Sequence, residues 1–178
     1  MFDNFNFQKY KTIKHPADLS LKTLSEIKDL QATPLNKAFA LKYDNVYNVF
    51  KNVFINKKRK FPSKIVSNLL TESTKPILKI KNYHNRKRPN VMAKEYGINL
   101  AHVDLSSAKT PSFPSGHSAQ AYLVKEVLSN MFPELTSQFQ KAADNISNSR
   151  ILAHVHYESD KKVGEQLGLD LYNHLKNI

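Results

Sequence analysis

The sequence predicts an all-α fold, and three observations predict it. Apolar residues recur three and four apart along most of the chain, and the alternating pattern of a half-buried strand is absent. Prolines also stand just ahead of several apolar stretches, where helices would begin. At 178 residues the chain is most simply one domain, long enough to bury a single core without cross-links, and it has no cysteine to make any.

The elements follow in order. Leu21, Leu24, Ile27 and Leu30 mark a first short helix after Pro16-Ala17-Asp18. Val46, Val49, Phe50, Val53 and Phe54 form an amphipathic stripe. Ile65, Val66, Leu69 and Leu70 continue the pattern after Pro62-Ser63. Pro76 is expected to end or kink that helix, because proline lacks the N–H and clashes with the preceding turn. Lys81 then falls on a second short helical stretch. Residues 97–115 hold Gly97, Asp104, Ser106, Ser107, Pro111, Ser112 and Pro114 without a period, and read as loop.

The next stripe is Ala121, Val124, Val127, Leu128 and Met131, on a helix beginning near Ser115-Gly116. Pro133 sits where another helix would start. Leu135, Phe139, Ala142, Ala143 and Ile146 are its inner face, expected to run on through Ala153 to His156. Val163, Leu167, Leu171 and Leu175 set the last helix. The helices over 114–131 and 135–156 should be central.

With 27 Lys and Arg against 15 Asp and Glu, the net charge is +12. That field attracts anions: phosphorylated small molecules, nucleic acid or anionic lipid. Charge alone does not choose among them. No stretch approaches eighteen uninterrupted apolar residues, since residues 46–55 and 151–155 are short or broken by Lys51, Asn52 and His154. A membrane-spanning lipid phosphatase is excluded on that ground. The N-terminus has no basic segment followed by an apolar one, so the expected location is cytoplasmic, or exported if a leader has been trimmed.

Three short stretches carry the chemistry. On a helix His156 and Asp160 would lie about 40° apart, so a carboxylate there could accept the imidazole Nδ1–H and leave Nε2 free to attack. Arg150, six residues earlier, would point away on one continuous helix, and reaches the same place by its length or by a helix break near His154. Pro114-Ser115-Gly116-His117 opens a helix whose first N–H groups are unpaired and suit an anion, with Gly116 permitting close approach and Ser115 adding a hydroxyl. Lys81 and Arg88, the latter followed by Pro89, add two cations within a basic run that includes His84, Arg86 and Lys87. Taken singly, these stretches are a buried ion pair, a helix cap and a solvated basic face. Lys57-Lys58-Arg59-Lys60 reads as exposed charge, and His15, His84, His102 and His174 as surface or loop histidines.

Together, in this order and spacing, the three stretches resemble the tripartite signature of the phosphatidic acid phosphatase type 2 superfamily. That superfamily includes class A bacterial acid phosphatases and vanadium haloperoxidases. Phe113, Tyr157, Ser159, Gly164 and Leu167-Gly168 resemble its common flanks. One position departs: His154 stands where the family usually has glycine.

The resemblance implies a helical bundle of the acid phosphatase and vanadium haloperoxidase type, a single phosphatase domain over residues 1–178 with its signature in 81–168. It implies hydrolysis of phosphate esters with no cofactor and no metal. His156 is the implied nucleophile, forming a phosphohistidine, Asp160 orients it, and His117 is the acid and then the base. Lys81, Arg88, Ser115, Gly116 and Arg150 are the implied phosphate-binding groups. The implied partner is a phosphorylated small molecule, and self-association would follow related acid phosphatases. Two alternatives stay open: a vanadium-dependent haloperoxidase-like enzyme, against which the short chain argues, and a basic nucleic-acid-binding protein with a relic site.

Overall fold

A computed structural model describes residues 1–177. The secondary structure of those residues is helical, with no strand among them. In chain order the helices are α1 (Gln8–Thr12), α2 (Leu21–Ala32), α3 (Lys37–Lys42), α4 (Val46–Asn56), α5 (Ser63–His84), α6 (Pro89–Glu95), α7 (Gly116–Met131), α8 (Thr136–Leu152) and α9 (Glu158–Lys176). Short 3₁₀ turns stand at Ser106–Ala108 and Pro133–Leu135.

Local chemistry sets the starts. Side chains of Ser20, Asn36, Asn45 and Ser115 accept backbone N–H groups of the first turns of α2, α3, α4 and α7. Each such cap is typically worth about 1 kcal/mol. Helix α7 is the centre, packed on α8, α9 and α5. Leu123, Val124 and Leu128 of α7 meet Phe139, Ala143 and Ile146 of α8, Leu167 and Leu171 of α9, and Phe50 and Phe54 of α4 in one core. Burying side chains of this size contributes roughly 1.5–3 kcal/mol each. A smaller cluster joins Ile27 and Leu30 of α2 to Met92, Ala93, Leu100 and Tyr157.

Two expectations are corrected. Pro76 does not end its helix: α5 runs unbroken from Ser63 to His84, with Lys81 in its last turn. Val66, Leu69, Ser73, Pro76, Ile77 and Ile80 are all buried, so packing on both sides of the proline holds the helix across the missing hydrogen bond. The helix expected over 135–156 stops at Leu152. Residues 153–157 are turn and extended chain, and His154 sits at φ +54°. Glycine adopts that left-handed region without the Cβ penalty, so the local backbone is one that favours glycine where this chain carries histidine. His154 is held by both ring nitrogens, Nδ1 at 2.7 Å from the Ala101 carbonyl and Nε2 at 2.9 Å from that of Thr33.

Two of the four histidines read as surface or loop are neither. His84 ends α5, half-buried, with Nε2 2.6 Å from the Tyr10 carbonyl. His174 lies in α9 against Phe2 and Phe5. No described helix is long and apolar enough to cross a membrane.

Candidate active site

Helices α7 and α9 bring their N-termini together, and the Ser115 amide donates to the Asp160 carbonyl at 3.0 Å. The break after α8 turns the chain so that His156 lies just ahead of α9, and Asp160 occupies that helix's first turn. His156 and Asp160 therefore do not share a helix, as their spacing suggested. Asp160 reaches back to the preceding loop instead, accepting the Tyr157 amide at 3.2 Å and the His156 Nδ1–H at 3.1 Å.

The other ring nitrogen faces a cation. Nη1 of Arg88 is 2.9 Å from His156 Nε2 and 2.8 Å from the Val155 carbonyl. A guanidinium only donates and a carboxylate only accepts, so His156 is fixed as the neutral Nδ1–H tautomer from both ends. Burial, then the cations Arg88 and Lys81, push its pKa well below the ordinary histidine value. Burial opposes ionisation of Asp160, but the hydrogen bonds from His156 and Ser112 and the charge of Arg86 hold its pKa well below the usual carboxylate range.

Lys81, Arg88, Gly116, His117 and His156 line one pocket of about 170 Å³. Thr74, Ile77, Leu78, Ser107, Thr110 and Gln120 form the rest of its wall. Of the stretch 90–113, only Ser107 and Thr110 reach it, and the N-terminal helices do not among the described residues. Lys81 is buried and donates to the Pro111 carbonyl at 2.6 Å. Desolvation, and then the nearby Arg88, lower its pKa to about 7. Arg88 is anchored to the Thr110 carbonyl at 2.8 Å.

Three expected site residues stand behind the pocket wall. Asp160 is fully buried behind His156. Ser115 caps α7, and its hydroxyl heads a buried chain through Ser118 (2.9 Å) and Ser147 (2.8 Å) to Glu165 (2.7 Å). Arg150 is buried and bonded to the Asp44 carboxylate at 2.8 Å. Asp44 in turn lies against His117.

The sequence reading missed Asp44, which belongs to no motif, and Ser112, whose hydroxyl donates to Asp160 at 2.5 Å. It also missed Arg86 and Glu26. Arg86 was read as part of a solvated run, yet it is 1 % exposed, between exposed neighbours. The signal for Glu26 was present: it lies on the buried face of α2 with Thr23, Ile27 and Leu30. No group of three or more His, Cys, Asp or Glu suited to a metal ion occurs among the described residues.

The sequence model of the PAP2 superfamily matches residues 61–169, so this chain belongs to that superfamily. Non-specific acid phosphatases of Salmonella typhimurium (strain LT2) and Salmonella typhi are each 29% identical to it over 98 residues. The match covers 55% of this chain but 39% of theirs. A similar solved structure is that of the first transmembrane PAP2 type phosphatidylglycerolphosphate phosphatase from Bacillus subtilis. It is 19% identical, with a TM-score of 0.47, over 96% of this chain and 80% of that one.

Proposed function

We propose that residues 1–178 form a single, soluble phosphatase domain that hydrolyses phosphate esters without a metal, through a phosphohistidine on His156. One observation carries this reading: His156 is held as the Nδ1–H tautomer with Nε2 at a pocket lined by Lys81, Arg88, Gly116 and His117. The names of the Salmonella relatives agree with it. A mean hydropathy of −0.51 and the charge of +12 suit a chain dissolved in water.

In the first step the Nε2 lone pair attacks phosphorus and the ester P–O bond breaks, while His117 gives its proton to the departing oxygen. In the second, His117 takes a proton from water, whose oxygen displaces His156 and releases inorganic phosphate. An entering phosphate oxygen takes over the Arg88 donor that faces Nε2. Lys81, Arg88 and the N–H groups at the start of α7 hold the oxygens as charge spreads onto them. Ser115 and Arg150 act from behind this cage, Arg150 through Asp44 unless the ligand draws it forward.

The test is rapid quench with mass spectrometry on a phosphate monoester. An acid-labile, base-stable adduct on His156, absent in His156→Ala, is the expected result, with turnover unaffected by EDTA. An adduct on Ser115, or activity lost on chelation and restored by magnesium or zinc, would overturn the mechanism.

A further inference from the structure

Arg86 and Arg88 lie two residues apart on the extended segment joining α5 to α6, and both are buried. They hold the His156–Asp160 pair from opposite ends. Arg88 reaches the His156 Nε2, while Arg86 Nη1 donates to Asp160 Oδ1 at 2.7 Å. The two oxygens of Asp160 differ. Oδ2 accepts from His156, Ser112 and the Tyr157 amide, whereas Oδ1 has Arg86 as its side-chain partner.

The far side of Arg86 is equally built. Nη2 donates to Glu26 Oε2 at 2.9 Å, and the guanidinium carbon is 3.7 Å from the centre of the Tyr157 ring. The Ser159 hydroxyl accepts from Arg86 and donates to Glu26, whose other oxygen takes the Ser159 amide. The rigid guanidinium fork thus spans two buried carboxylates at once, which a lysine could not do. A buried carboxylate oxygen without its partner would rotate towards one or take a proton.

We propose that Arg86 is a positioning residue that fixes the Asp160 carboxylate against His156, with Glu26 as its buried counter-charge; the proposal rests on the reading of His156 as nucleophile. Arg86 touches no substrate. It acts through Asp160, and so belongs to the rate of phosphoryl transfer and not to substrate binding.

The experiment compares Arg86→Gln and Arg86→Lys, each in the wild-type and Asp160→Asn backgrounds. Arg86→Gln is expected to lower kcat by up to about a hundredfold, the scale on which misplacing a reacting group slows an enzyme, with KM little changed. The acid limb of kcat should move to higher pH, because Asp160 without the neighbouring cation takes a proton more readily. Arg86→Lys should restore part of both. In Asp160→Asn, the second substitution should change kcat by no more than about twofold, since its target is gone. Equal losses in the two backgrounds, or a loss confined to KM, would overturn the proposal.

If Arg86→Gln does not fold by circular dichroism, the lysine pair carries the same comparison. Nitrogen NMR of the His156 ring separates this proposal from the proposed function. The Nδ1–H tautomer should dominate in wild type and give way in part in Arg86→Gln, less so in Arg86→Lys, whether or not any ester is hydrolysed. A tautomer unchanged in both variants refutes the role of Arg86. A changed tautomer in a protein without phosphatase activity refutes the function alone.

Discussion

The Nε2 of His117 lies 2.8 Å from the backbone carbonyl of Asp44 and 3.4 Å from its carboxylate. A carbonyl only accepts, so this nitrogen carries the proton. Burial draws the pKa of His117 down and Arg150 adds to that, while Asp44 opposes both. Asp44→Asn keeps the carbonyl and removes the charge, and leaves Arg150 unpaired. His117 should then lose its proton at lower pH. The alkaline limb of turnover on an alkyl phosphate should move to lower pH accordingly, and an unmoved limb would mean Asp44 does not tune the acid.

Desolvation brings the pKa of Lys81 near neutrality, to about 7. Its pKa is lowered, so the charged form is present below that value and lost above it. Binding of vanadate or phosphate should weaken as pH rises through about 7, beyond the change due to the ligand's own ionisation. An anion placed beside Lys81 favours its charged form, so binding near pH 7 should take up a proton. Calorimetry in buffers of different ionisation enthalpy reads that uptake, and Lys81→Arg should abolish it.

His154 permits a stability test in which two small effects compete. His154→Ala loses both ring contacts and keeps a Cβ at positive φ. His154→Gly loses the same contacts but relieves the backbone, worth roughly 1–2 kcal/mol. The glycine variant should therefore be the more stable of the two in urea denaturation, despite glycine's greater freedom when unfolded. An alanine variant equal to or better than glycine would show that the left-handed backbone carries no cost here.

Glycines at 164 and 168 give the closest approach of α9 to α7. A Cβ at Gly164 would overlap the Ser115 carbonyl, and one at Gly168 the Ala119 carbonyl. Alanine gains about 1 kcal/mol in helix propensity, but overpacking against backbone typically costs 1–3 kcal/mol or more. Gly164→Ala and Gly168→Ala should both lower the melting temperature. Gly164→Ala should also reduce kcat, because it pushes Asp160's helix from Ser115.

Much of this molecule was legible in its sequence. Helices α2, α4, α7 and α9 appear where their stripes place them, because helix periodicity depends on neighbours three and four residues away, although Leu21 and Met131 at the ends of two stripes are exposed. The break at residues 153–157 was harder, since Ala153 and Val155 continue the apolar run of Ile151 and Leu152, and nothing local in that run ends the helix at Leu152. Pro76 failed in the other direction, where packing overrode a local rule. Within the candidate site, Lys81, Arg88, Gly116, His117 and His156 stood out because their order and spacing resemble a family signature, and they line one pocket. Asp44, Glu26 and Ser112 reach it from distant segments, and no spacing announces a contact that closes only on folding. Arg86 was hidden by its charged neighbours.

The glycine seam also fixes what the rest of the core is free to do. Helix α7 carries His117 and α9 carries Asp160, and at Gly164 and Gly168 the two come together as main chain against main chain, beside the side-chain packing of Leu123, Leu167 and Leu171. The gap between the two halves of the site is thus set by carbonyl against Cα. Phe139 and Ile146 on α8 lie away from those two carbonyl contacts, so a change of size there leaves the close approach at Gly164 and Gly168 in place. The chemistry is held by the part of the structure that substitution elsewhere disturbs least.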